Sequence, residues 1–97
     1  MPTFMILSNY TNQGINSIQD SPERLKKFKE IAQGESVKVI SHHFLMGGFD
    51  AVTLLDAPNA EVVAKLCLIV GKKGNIRTQT FHAFSENEMT NIIAKLT

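Results

Sequence analysis

A chain of 97 residues, 43% hydrophobic and 20% charged, has the size of one globular domain and buries only about 60–65% of its unfolded surface. A net charge of +1 carries none of the basic excess of a dedicated nucleic-acid binder, and the single cysteine, Cys67, excludes an internal disulfide and a cysteine-built zinc site. No run approaches the roughly 20 apolar residues of a membrane span, and Met1-Pro2-Thr3-Phe4 lacks a basic leader segment, so the expected address is the cytoplasm.

Thr3 to Asn9 holds Phe4, Met5, Ile6 and Leu7 in unbroken succession, the pattern of a strand that is apolar on both faces. Ile15 and Ile18 suggest an earlier helical turn, which Pro22 either continues or restarts in a longer helix opening at Ser21-Pro22. There Ser21 is expected to cap and Pro22 to occupy the first turn. Leu25, Phe28, Ile31 and Ala32 form its apolar stripe, and Gly34 is the expected stop. Val37 to Met46 reads as the second strand, Gly47-Gly48 as a turn, and Ala51 to Leu55 as the third strand of a hairpin. Pro58-Asn59 opens a helix with the apolar face Val62, Val63, Leu66, Ile69 and Val70, which Gly71-Lys72-Lys73-Gly74 ends. Asn75 to Phe84 is the fourth strand. Ser85-Glu86-Asn87-Glu88 is then a capping box that starts a C-terminal helix with the stripe Met89, Ile92, Ile93 and Leu96.

The expected architecture is therefore α+β: a ferredoxin-like β-α-β-β-α-β antiparallel sheet, two covering helices and an extra C-terminal helix, in one domain spanning residues 1–97. Helices cover one face of such a sheet. The first strand offers Phe4 and Ile6 to one face and Met5 and Leu7 to the other, so the uncovered face is expected to meet a second copy of the chain.

Several separated segments resemble one family. They are Tyr10-Thr11-Asn12-Gln13-Gly14, Ser21-Pro22-Glu23-Arg24, Gly48-Phe49-Asp50, Ala57-Pro58, Gly74-Asn75-Ile76-Arg77-Thr78, Thr80 and Ala83-Phe84. Together they are similar to the GYD domain family, with phenylalanine at Phe49 in place of the family's tyrosine. The resemblance implies a fold of the dimeric α+β barrel type, in which two sheets pack face to face. It implies no defined activity.

Among individual residues, His42 and His43 are neighbours in a strand and point to opposite faces, while His82 belongs to the far edge strand, about 14 Å away. A metal site within one chain is therefore not expected, and no cofactor is called for. Gly71-Lys72-Lys73-Gly74 follows a helix rather than preceding one, so it lacks the amides that cradle phosphate. The third strand, Ala51-Val52-Thr53-Leu54-Leu55, lacks the aromatics on which RNA-recognition domains of this fold stack bases. Tyr10, His43, Asp50 and Arg77 are the polar residues placed to reach a cavity walled by Leu25, Phe28 and Leu66, and Asn9 and Arg24 lie nearby. Asp50 also suits a bracing role in the hairpin. The function expected is a non-catalytic, homo-oligomeric assembly or small-ligand-binding domain. The alternative is a cofactor-free dimeric-barrel enzyme, of oxygenase or isomerase type, acting on a small apolar or phenolic substrate.

Overall fold

The computed structural model describes Met1 to Leu96. The chain forms β1 (Thr3–Tyr10), α1 (Asn12–Asn16), a 3₁₀ turn (Ile18–Asp20), α2 (Ser21–Gly34), β2 (Lys38–Phe44), β3 (Ala51–Asp56), α3 (Ala60–Gly71), β4 (Ile76–Ala83) and α4 (Glu86–Ala94). All neighbouring strands are antiparallel in a sheet of order β2-β3-β1-β4, the ferredoxin-like arrangement. In β1 the side chains of Phe4, Ile6 and Ser8 are buried beneath the helices, while Met5 and Leu7 are half-buried on the other face. The strand is thus apolar on both sides but fully covered on one.

The core lies at one end of the helix-covered face. Leu55, Leu66 and Ala32, each 0% exposed, pack with Phe4, Ile6, Val37, Ala57 and Val63. Removing such residues from water contributes about 1.5–3 kcal/mol per large side chain, which fixes how α2 and α3 sit on the sheet.

Local signals set most of the element ends. Asn59 caps α3 by accepting from Val62 N at 3.0 Å. Ser85 and Glu88 form the full capping box of α4, at 3.1 Å and 2.9 Å. Gly74, with φ of 84°, supplies the left-handed residue that turns the chain into β4. Two expectations need correction. Ser21 is not the cap of α2: the 3₁₀ turn runs straight into the helix, so Ser21 N already donates to Ile18 O. The helix continues through Gly34, and the left-handed residue behind it is Ser36, with φ of 60°.

The C-terminal helix stands apart. α4 has no buried residue and packs closely on none of the other elements among the described residues. The molecule measures 52 × 31 × 19 Å, and its radius of gyration of 14.8 Å exceeds the about 13 Å of a compact chain this long.

Candidate functional site

Cross-strand rows on the helix-covered face explain where space is left. One row holds Val39, Leu55, Phe4 and His82. Val39, Leu55 and Phe4 fill the gap to the helices, and His82 stacks on the Phe4 ring at 5.0 Å. The next row holds His42, Thr53, Ile6 and Thr80, and the third holds Phe44, Ala51, Ser8 and Thr78. At the centre of these two rows sit the buried, small residues Thr53, Ala51 and Ser8. Above them α2 contributes Leu25, Phe28 and Ile31, α3 contributes Val70, and a cavity of about 240 Å³ remains between the layers. A core built for density would have filled it.

Hydrogen bonds frame one end of this cavity. Tyr10 OH lies 3.2 Å from Ser21 Oγ, joining β1 to the start of α2. Asp50 draws three segments together: its carboxylate accepts Tyr10 N–H at 2.8 Å, its own N–H donates to Ser8 O at 2.8 Å, and its carbonyl accepts Leu45 N–H at 2.8 Å. Asn9 Nδ2 donates to Gly48 O at 3.0 Å, so the Gly48-Phe49-Asp50 segment is held against the end of β1. Arg24 donates to Ser17 O at 3.0 Å, Ser17 Oγ at 3.3 Å and Gly14 O at 3.4 Å. Thr11 donates through its hydroxyl to Gly74 O at 2.5 Å and through its amide to Asn75 O at 3.0 Å. Gly14 presses against that turn so closely that a Cβ would stand 1.9 Å from Asn75 O.

Of the four residues singled out from the sequence, the structure brings Tyr10 and Asp50 together at the cavity and places His43 and Arg77 on the opposite face. There His43 pairs with Val52, and Arg77 with Asn9. Of the expected walls, Leu25 and Phe28 line the space, whereas Leu66 belongs to the filled core. The histidine that reaches the cavity is His42, whose Nδ1 sits 2.8 Å from Thr53 Oγ1 and whose ring meets Phe44 edge-on at 5.1 Å. Burial lowers its pKa below the ordinary 6.5, and the nearby charge of Lys29 and then His43 add to the effect.

A bulge decides between the two histidines. Register shifts between Val39 and Ser41, so Val39 opposes Leu55 but Ser41 opposes Leu54 and His42 opposes Thr53. Unbroken alternation from Val39 would have sent His43 toward the helices; one extra residue reverses every side chain beyond it. Ser8, Thr53 and Lys27 also line the cavity without having been singled out, and so does Lys73, which the sequence offered only within the Gly71-Lys72-Lys73-Gly74 segment set aside as a phosphate motif. For Ser8 the signal was present, as a small polar residue in phase with Phe4 and Ile6.

Among the described residues no group of three or more His, Cys, Asp or Glu side chains is placed to hold a metal ion, and no helix is long and apolar enough to cross a membrane. The family model of the GYD domain matches residues 4–93. A Thermus thermophilus protein named glutamine synthetase and cystathionine beta-lyase binding protein is 31% identical over 97 residues, covering 99% of each chain. No solved structure gives a significant match. The segments around Tyr10, Ser21, Gly48 and Asn75, which suggested the family, are the ones that frame the cavity, and with the match over residues 4–93 the chain belongs to the GYD domain family.

Proposed function

We propose that this protein is a non-catalytic, cytoplasmic binding domain that self-associates through its open sheet face and docks on a metabolic enzyme through α4, with the cavity as a small-ligand site. The observation that carries the reading is the amount of apolar surface left open. Met5, Leu7, Val52 and Leu54 share the uncovered face with Phe81, which is 47% exposed. Such a face suits sheet-on-sheet packing about a two-fold axis, the arrangement of the dimeric α+β barrels. Met89, Ile92 and Ile93 on α4 have the i, i+3, i+4 spacing of a helix that enters a groove on another protein; Leu96, expected in the same stripe, lies beyond the helix end at Ala94 and is 72% exposed.

The Thermus relative is named for binding glutamine synthetase and cystathionine beta-lyase, and these two enzymes are the proposed partners. The test uses purified enzymes from the same organism as this chain, titrated with native protein and followed by biolayer interferometry. Saturable binding to either enzyme that is lost with Ile92→Glu supports the reading. Binding to neither, by a properly folded sample, contradicts it.

One observation favours a second reading, the cofactor-free enzyme. Burial lowers the pKa of His42 below 6.5, which favours the neutral imidazole beside Thr53 that a general base requires. A screen of small phenols and ketones for hydrogen–deuterium exchange at acidic C–H positions, compared with His42→Gln, separates the two.

A further inference from the structure

The ionisable side chains lining the cavity are not balanced. Over the whole chain ten Lys and Arg residues face nine Asp and Glu residues, yet Arg24, Lys27 and Lys73 line the cavity against the single carboxylate of Asp50. That carboxylate is already committed to Tyr10 N–H. Arg24 is half-buried and fixed by its bonds to Ser17 and Gly14, and a guanidinium presents five donors, more than those contacts use. Lys27 and Lys73 are exposed and so stand at the mouth. The backbone of Lys73 is held there, because Gln13 Nε2 donates to its carbonyl at 2.9 Å. Behind this cationic rim the walls are mostly apolar, and a volume of about 240 Å³ lies below the roughly 300–1,000 Å³ of pockets that take drug-sized ligands.

Taking the cavity as the ligand site proposed above, we infer that its occupant is a small carboxylic acid with an apolar body. Its carboxylate meets Arg24 and Lys73 at the mouth, and its apolar part lies against Leu25, Phe28 and Val70. The planar, two-donor edge of a guanidinium matches a carboxylate. Charge complementarity at a partly desolvated mouth makes the anionic form of the ligand the one selected. Inorganic phosphate would leave the apolar walls unused, and a neutral ligand would leave the cationic rim unmatched.

The experiment titrates native full-length protein with butyrate, hexanoate, benzoate and phenylacetate, each beside its primary amide, and with inorganic phosphate. Calorimetry and thermal unfolding are the readouts. At least one acid is expected to bind about tenfold or more tightly than its amide. Lys73→Gln, an exposed change that leaves the fold intact, is expected to weaken that acid about tenfold while leaving its amide unchanged. Equal binding of acid and amide would overturn the carboxylate assignment and leave the cavity a ligand site. Phosphate binding as well as the best acid would overturn it in the same way. Silence of every acid and amide at millimolar concentration, with Ala51→Leu raising stability by filling the space, would overturn the ligand site itself.

Discussion

At the scale of single residues, the end of the cavity is held by side chains that bond backbone. Asp50 is central because Tyr10 N–H, at the end of β1, has the Asp50 carboxylate as its acceptor. Asp50→Asn keeps an acceptor oxygen and is expected to cost about 1 kcal/mol or less, whereas Asp50→Ala leaves the amide short of a partner and costs about 1–3 kcal/mol. Urea unfolding of the two variants checks the difference; equal losses would mean that charge rather than the acceptor matters. Gly14 is constrained differently. Because a Cβ would meet Asn75 O at 1.9 Å, Gly14→Ala must push α1 away from the turn before β4, at about 3 kcal/mol or more. A variant as stable as the parent would show that the approach is looser than described. His42 gives the pH dependence its sign. Its folded pKa lies below 6.5, so the unfolded chain binds the extra proton, and the stability from keeping His42 neutral is full above 6.5. That part is lost as pH falls from 6.5 through the folded value. Stability measured between about pH 7.5 and about pH 5.5 should fall on acidification, and His42→Gln should flatten the profile.

At the scale of elements, the sequence was readable wherever a local rule governs. The capping box of α4, the Asn59 cap of α3 and the alternation of β1 all follow from residues within one turn or one pleat of each other. What was not readable depends on pairing across the sheet. The choice between His42 and His43 rests on the bulge after Val39, which leaves no mark in local composition because Ile40 and Ser41 look like ordinary strand residues. Arg77 was misplaced toward the cavity for the same reason: only its pairing with Asn9 reveals its face. α4 illustrates the opposite limit. Its local signals are strong, yet none of its residues is buried against the rest of the chain among the described residues. Ser85→Ala removes one half of the cap and should lower the stability of α4 by about 0.5–2 kcal/mol, seen as faster amide exchange confined to residues 86–94. Exchange spread over β4 and α3 would show that α4 is coupled to the domain more tightly than its exposure indicates.

At the scale of the whole molecule, two apolar surfaces and one cationic-rimmed cavity coexist in a chain too small to leave so much surface open cheaply. The two layers have different tasks. The helix-covered side builds the cavity, and in the proposed reading the bare side, together with α4, meets other proteins. The proposed self-association through the bare side is central, since it would cover Phe81, Met5 and Leu54 and leave α4 free to engage a partner enzyme. Sedimentation equilibrium at micromolar concentration tests this most directly, with the native protein beside Phe81→Glu. The account predicts twice the 10.8 kDa chain mass for the native protein and the single-chain mass for the variant. A native protein that stays at 10.8 kDa across the concentration range, or a Phe81→Glu variant that dimerises as well as the parent, would contradict it.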